Sequence, residues 1–220
     1  MADSSQVTPV AFNCEGGLVL NRSTFMMKPG EALELENFEP DIEGGYRRIN
    51  GFSKYVSAIV PQTSSSSEKV LMVATFGSSV VAARGTSIYS ATPGSSSWTS
   101  RDSGRTSAGK YDFERFNFDG NDKLIVADGA NAPTVFNTSF TATDVSSGGG
   151  GEVSTAVSGA KFVVSFKNHM FYAGMSAAKQ ELVFSVPFDE DNFTTGSGAG
   201  TIKVDDTITG LKVFREDLFI

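Results

Sequence analysis

From residue 68 onward, the chain consists of short apolar segments of four to eight residues, each bounded by Gly, Ser, Asn or Asp. The segments are rich in β-branched and aromatic residues, which is typical of strands. They read KVLMVATF, SVVAARG, TSIYSA, KLIVADG, KFVVSF, HMFYAGM, ELVFSV and GTIKVDD. Helical periodicity is nearly absent. In GEALELENF (30–38), the good helix formers favour a short helix, whereas the alternation of Leu33 and Leu35 favours a strand. The two alternatives fit this segment equally well. The pattern therefore predicts an all-β chain.

A repeat connects these segments. Four phenylalanines each end a predicted strand, and each is followed by a polar turn and an apolar pair; they are Phe76, Phe118, Phe166 and Phe214. Their spacings are 42, 48 and 48 residues, and the loop after Phe118 is expected to be two residues longer than the others. A period of about 40–50 residues in an all-β chain favours β-propeller blades, while a β-sandwich with evenly spaced hairpins is the alternative.

Counting these copies predicts an incomplete propeller. Closed propellers have about four to eight blades, and four hairpin copies provide at most three and a half. The last copy, in GLKVFREDLFI, stops inside its second strand at Phe219 and Ile220, where another strand is expected to continue. We therefore expect an open strand edge that a partner or further residues cover.

Composition divides the chain into three parts. Residues 1–60 are expected to form an extended N-terminal arm with turns, 61–69 a Ser-rich linker, and 70–220 the repeats with an unfinished last blade. A second flexible connection is expected at 144–154, which is rich in Ser and Gly.

The charge and the rare residues narrow the possible functions. The net charge is −7, which argues against specific nucleic-acid binding. The absence of an apolar run of about 18 residues predicts no membrane insertion, and the N-terminus lacks the pattern of a secretory signal. With one Cys and one His, an internal disulfide and a catalytic triad of the usual kind are not expected. His169 is expected to be an exposed turn residue.

Two features suggest a chemical site. Asp189, Glu190 and Asp191 cluster in PFDEDNF; they could hold Ca²⁺ or act as a glycosidase pair, although a solvated acidic loop is the default interpretation. SATPGSSSW (90–98) resembles the Asp-box turn of sialidase-type propellers but has Thr92 in place of the Asp and one extra residue before Trp98. Together, Trp98 and the three carboxylates form the basis of an alternative function, a propeller that binds or cleaves glycans. Apart from this alternative, the sequence predicts no catalytic residue, metal ligand or cofactor.

The N-terminal region is the most distinctive stretch. It contains Gly16-Gly17-Leu18 with Asn21, Pro29-Gly30-Glu31-Ala32, Asn37-Phe38, Gly44-Gly45-Tyr46-Arg47-Arg48 and Gly51-Phe52. The Gly44-Gly45 pair predicts a hairpin-like turn with positive φ. This pattern resembles the start of virion structural proteins of tailed bacteriophages, in particular those of marine cyanophage-like genomes. FKNHMFYAGM, ELVFSVPFDEDNF and LKVFREDLFI extend the resemblance over most of the chain.

The resemblance implies a non-enzymatic tail or head–tail protein, a hub or stopper with propeller-like repeats. Its partners would be other virion proteins and copies of itself, and it would be assembled in the bacterial cytoplasm and reside in the virion. The predicted contacts are Tyr46, Arg47, Arg48 and Phe52 in the arm, and Phe219 and Ile220 at the open edge. Such proteins usually continue past this length, so the resemblance also implies a fragment or truncated reading frame.

Overall fold

The computed structural model describes residues 16–62, 67–106, 109–145 and 157–220. These residues form eighteen strands and two single-turn 3₁₀ helices, Thr24–Met26 and Thr195–Ser197. The chain is all-β, so the prediction of fold class is confirmed at this level. The helix alternative for residues 30–38 is wrong, because Glu31–Ala32 pairs as a strand and bends follow it. Within the described ranges, neither helical turn has the length and apolar character that crossing a membrane requires.

The first compact unit, Met1–Ser53, contains two small strand pairs in its described part. Strands β1 (Gly17–Leu18) and β2 (Glu31–Ala32) are parallel. Strands β3 (Phe38–Pro40) and β4 (Tyr46–Arg48) are antiparallel. Gly44 and Gly45 in the β3–β4 turn have φ values of 94° and 88°, which confirms the predicted positive-φ turn. No described residue of this unit is buried.

The second unit, Lys54–Ile220, contains three four-stranded antiparallel sheets and a hairpin, and within each sheet the strands follow chain order. Sheet 1 comprises β5 (Val70–Phe76), β6 (Ser79–Arg84), β7 (Ser87–Ala91) and β8 (Thr99–Asp102). Sheet 2 comprises β9 (Asp112–Phe118), β10 (Asn121–Ala127), β11 (Thr134–Phe136) and β12 (Ala142–Asp144). Sheet 3 comprises β13 (Phe162–Phe166), β14 (His169–Met175), β15 (Ala178–Phe184) and β16 (Gly200–Lys203). The hairpin comprises β17 (Lys212–Phe214) and β18 (Asp217–Phe219).

The predicted phenylalanine repeat coincides with the first hairpin of each group. In every copy the phenylalanine is the last residue of the first strand and pairs with the first residue of the second across a two-residue turn. The expectation of a longer loop after Phe118 is therefore wrong. Strand β10 instead begins at Asn121, and its buried Leu124-Ile125 pair lies farther along the strand than the equivalent pair in β6.

These tight turns use positive φ, which matches the twist of the flanking strands. Asp119-Gly120 and Lys167-Asn168 have positive φ at both turn positions. In the turns of sheet 1 and of the hairpin, only the first position has positive φ, and it is occupied by Gly77 and Arg215. A non-glycine residue is more strained than glycine in this region, so three of the four turns carry avoidable strain, at Asp119, at Lys167 with Asn168, and at Arg215.

The sheets pack face to face in chain order. Alternate side chains of β10 point to opposite sides: Leu124 and Val126 join a cluster with sheet 1, while Ile125 and Ala127 join a cluster with sheet 3. Strand β14 repeats this arrangement, with Met170 and Tyr172 toward sheet 2 and Phe171 and Ala173 toward the hairpin. Sheets 2 and 3 thus bury both faces, whereas each sheet of a two-layer β-sandwich buries one.

Carboxylates of β9 join the first strands of sheets 2 and 3. The backbone N–H of Val163 donates to Asp112 Oδ2 (3.0 Å), and Ser165 Oγ donates to Glu114 Oε1 (2.8 Å). Strand β13 is an edge strand, so these side chains satisfy and cover polar groups that would otherwise lie open at the sheet edge.

The chain before sheet 1 is attached to that sheet by hydrogen bonds. Tyr55 Oη donates to the carbonyl of Ser78, and the N–H of Ser57 donates to the carbonyl of Ser95. Arg84 donates to the carbonyls of Pro61 and Glu68, at the two ends of the predicted linker. The middle of that linker (63–66) and most of the predicted Gly-rich connection (146–154 of 144–154) lie outside the described residues.

We expect Asn168→Gly to increase the free energy of unfolding by about 0.5–1 kcal/mol, because glycine adopts positive φ without steric cost. The carbonyl of residue 168 still accepts the hydrogen bond from the Phe188 N–H. Urea unfolding measures the change.

Ser78→Gly is the matched control, because Ser78 occupies the same turn position in sheet 1 but lacks positive φ. Glycine at position 78 is expected to lower the free energy of unfolding by about 0.5–1 kcal/mol, because it increases the conformational entropy of the unfolded chain. Equal effects of the two substitutions would contradict the turn assignment.

Candidate functional site

The arm surface, defined as residues 16–53, exposes an unusual number of large apolar side chains. Phe25, Ile42 and Phe52 are 96–98% exposed. Leu20 and Met26 are also more than two-thirds exposed. Complete burial of one such side chain against a partner would contribute roughly 1.5–3 kcal/mol. The arm surface thus has the apolar groups needed for an interface and buries none of them fully in its own unit.

Two of the predicted arm contacts have structural roles inside the arm. Tyr46 Oη lies 2.8 Å from the carbonyl oxygen of Gly30 and 3.1 Å from that of Gly17, so it connects the β3–β4 pair to the β1–β2 pair. Arg47 forms an ion pair with its cross-strand neighbour Glu39 at 2.7 Å. Both charged side chains are about half exposed, and the pair contributes little stability.

The other two predicted arm contacts lie together. Arg48 and Phe52 line a shallow hollow of about 350 Å³ with Asn37, Ile49 and Asn50. Among the described residues, Arg48 has no ion-pair partner within 4 Å. A guanidinium beside an exposed aromatic ring is a combination that is enriched at protein interfaces.

The second predicted contact region is on the hairpin. Val213 and Leu218 turn toward sheet 3 and pack on its apolar cluster. Phe214 and Phe219 lie on the opposite face with ring centroids 6.4 Å apart, and they are 61% and 57% exposed. Ile220 is also more than half exposed. The hairpin therefore presents a largely exposed aromatic face, with the Arg215 guanidinium 5.3 Å from the centroid of the Phe214 ring.

The acidic loop between β15 and β16 is largely structural. The residue Glu190 is buried, and its carboxylate forms an ion pair with Lys123 of sheet 2. Its carbonyl accepts a hydrogen bond from Tyr172 Oη at 2.7 Å. Burial, reinforced by the nearby carboxylates, raises the pKa of Tyr172 well above its ordinary value. In the described ranges, no group of three or more acidic, His or Cys side chains is placed to hold a metal ion.

The residues of the glycan alternative fall in two places. Trp98 lies before β8 in sheet 1, where its Nε1–H donates to the carbonyl of Ala58 at 2.8 Å. Asp189, Glu190 and Asp191 lie in the acidic loop of sheet 3. The structure thus brings the three carboxylates into one loop but does not combine them with the indole in one sheet.

His169 is more enclosed than expected. It is the first residue of β14 and is half-buried, with its ring near Phe171 and Phe184. Its Nδ1 lies 2.6 Å from the carbonyl oxygen of Ser185, so Nδ1 carries the proton and donates to this oxygen. These contacts give His169 a packing role at the start of the strand.

A buried polar centre, which the sequence analysis did not identify, lies between sheets 1 and 2. The Arg105 guanidinium donates to Asp102 (2.7 Å), to Asp128 (2.9 Å) and to Thr134 Oγ1 (2.6 Å). The side chain of Arg105 is 4% exposed and that of Asp128 is fully buried. Because Asp102 belongs to β8 of sheet 1, whereas Thr134 belongs to β11 of sheet 2 and Asp128 follows β10, this centre fixes β8 against sheet 2.

The charges in this centre stabilise one another. Burial alone would lower the pKa of Arg105, but hydrogen bonds with Asp102 and Asp128 outweigh it and raise that pKa. Burial alone would raise the pKa of Asp128, but hydrogen bonds from Asn131, Ala130 and Arg105 outweigh it and lower that pKa. Both groups are therefore held in their charged forms.

No protein-family model, curated protein or solved structure gives a significant match to the chain.

We expect Asp128→Asn to destabilise the protein by about 3 kcal/mol at pH 7, because it leaves Arg105 buried without its fully buried anionic partner. The pKa of Asp128 is lower in the folded chain than its ordinary value of 3.8. Its contribution is therefore fully present above that value and is lost as the pH falls through the folded pKa.

Urea unfolding of both proteins over a pH series checks this. The difference in stability should be constant near neutral pH and shrink below about pH 4. Asp122→Asn, at an exposed position, is the control and should change stability by less than about 0.5 kcal/mol. A difference between wild type and Asp128→Asn that grows on acidification would contradict the assignment.

Proposed function

We propose that the chain is a non-enzymatic structural protein of a tailed-bacteriophage virion, in which the arm surface binds a neighbouring subunit or another virion protein. The observation that carries this is the arm itself, whose described residues include none that is buried and three large apolar side chains that are almost fully exposed. An arm of this kind gains its apolar burial from a partner. The resemblance of residues 15–55 and of the later segments to phage virion proteins supplies the setting.

We further propose that the second unit is an incomplete β-propeller. Three consecutive four-stranded sheets, each antiparallel and in chain order, support this, as does their face-to-face packing. The hairpin continues the series as half of a fourth unit and exposes Phe214 and Phe219 on its outer face. This aromatic face is the second proposed assembly surface.

In this proposal the roles of the arm residues differ. Tyr46 and Arg47 maintain the shape of the arm, and Arg48 with Phe52 contact the partner. The proposed location is the virion, after assembly in the bacterial cytoplasm.

Binding of a host-surface polysaccharide is the second candidate function, and the exposed Asp189 and partly exposed Asp191 of the acidic loop support it. A glycan array tests it: binding that is lost in Asp189→Asn/Asp191→Asn and retained in Asp205→Asn/Asp206→Asn would support it. Absence of binding to any polysaccharide would leave the assembly role as the single proposal.

For the assembly role, we expect Phe52→Ser to weaken incorporation of the chain into virions. Loss of one buried phenylalanine corresponds to roughly 2 kcal/mol, or about a thirtyfold weaker association. In the double variant Phe52→Ser/Arg48→Ala, incorporation into virions should be weaker still. Quantitative mass spectrometry of purified virions measures incorporation, and mass photometry measures self-association.

Val73→Ser is the matched control, because Val73 is 60% exposed but lies on β5 outside the arm. It should leave incorporation unchanged. Absence of the wild-type chain from purified virions, together with a strictly monomeric state in solution, would refute the assembly role.

A further inference from the structure

A cavity of about 470 Å³ opens in the second unit beside the start of β9, the end of β10 and the start of β13. Its lining includes Lys110, Tyr111, Asp112, Asp128, Lys161 and Phe162. This volume lies within the range of about 300–1,000 Å³ that is usual for small-molecule sites. Its described lining includes no residue of the arm surface or of the acidic loop.

Lysines converge at this cavity from successive sheets. Lys110 precedes β9 and Lys161 precedes β13, and both line the cavity. Lys212 of β17 lies outside the lining; burial raises the pKa of Asp112, and the charges of Lys212 and Lys110 partly offset this. Among the described residues, none of these three lysines has a salt-bridge partner within 4 Å.

The position of Lys161 is restricted by its surroundings. Its aliphatic stem crosses Gly129 so closely that a Cβ at residue 129 would overlap Lys161 Cγ. Gly129 also has a φ of 79°, which disfavours any other residue there. The ammonium group is therefore carried by a stem that lies along the cavity wall.

The two carboxylates in the lining are already engaged. Asp128 accepts hydrogen bonds from Arg105 and from the side chain and backbone of Asn131. Asp112 accepts the N–H of Val163. The lining thus carries two lysines and two carboxylates; both carboxylates already accept hydrogen bonds from the protein, whereas neither lysine has a salt-bridge partner among the described residues.

The rest of the lining is mainly apolar. The side chain of Phe162 and the small residues Gly129 and Ala130 contribute to the wall, and Tyr111 is nearly fully buried beneath it. An aromatic and aliphatic wall beside ammonium groups matches a ligand with a carbon skeleton and one anionic group.

We propose that this cavity binds a small organic carboxylate, with the anionic group between Lys110 and Lys161 and the carbon skeleton against Phe162. The inference is independent of the proposed assembly role, since it uses no residue of the arm surface or of the outer hairpin face.

Titration of the full chain with sodium glucuronate, followed by ¹H–¹⁵N NMR at constant ionic strength, tests the proposal. The amide resonances of Gly109, Gly129 and Ala130 should shift and saturate with glucuronate. Glucose, which has the same ring without the carboxylate, should not shift them at equal concentrations.

Lys110→Gln and Lys161→Gln should each weaken glucuronate binding by at least about fivefold, because each removes a charge-assisted hydrogen bond. Lys203→Gln removes the same charge at an exposed position of sheet 3 and should leave binding unchanged. Thermal unfolding confirms that the variants, all at exposed positions, remain folded.

Three results would overturn the proposal. In the first, glucuronate does not shift the amide resonances of Gly109, Gly129 and Ala130. In the second, glucose shifts them as much as glucuronate does. In the third, Lys203→Gln weakens glucuronate binding as much as the two cavity variants do. Loss of binding in the two cavity variants alone would support it.

Discussion

The structure of the second unit depends on a strand that must be apolar on both sides. In β10, successive residues from Leu124 to Ala127 are fully buried, and they point alternately toward sheet 1 and sheet 3. Such a strand cannot carry a polar side chain on either face without the cost of an unpaired buried group. Charged residues are consequently displaced to the rims of the sheets, where Arg105, Lys123 and Asp112 connect one sheet to the next.

The same constraint explains what could be predicted from the sequence. Strands buried on both faces appear as continuous apolar runs, so KLIVADG and HMFYAGM were recognisable without any alternation. The phenylalanine repeat was also recognisable, because each copy closes a hairpin. The copies are not equivalent in burial, however: Phe76 and Phe118 are buried, whereas Phe214 is largely exposed. The loop after Phe118 was misjudged because the repeat was aligned on apolar pairs, while the register is set by the turn itself.

The candidate sites were less predictable, for physical reasons. Arg105 and Asp128 are 23 residues apart in sequence and follow strands of different sheets, β8 and β10, and neither segment has a motif that predicts their pairing. Leu33 and Leu35 alternate as they would in a half-buried strand, yet Leu33 is exposed because the described residues of the arm form no second layer over it. Lys110 and Lys161, which line the cavity beside β9 and β13, are about 50 residues apart, and the succession of sheets brings them together.

The face-to-face arrangement of sheets has a consequence for how stability is distributed along the chain. Each sheet contacts its neighbours in sequence, so the second unit resembles a one-dimensional series in which every interface contributes its own coupling free energy. Sheet 2 takes part in two such interfaces, and the β17–β18 hairpin in one. Local opening of sheet 2 would therefore divide the series into two parts that no longer stabilise each other, whereas opening of the hairpin would leave the other interfaces in place.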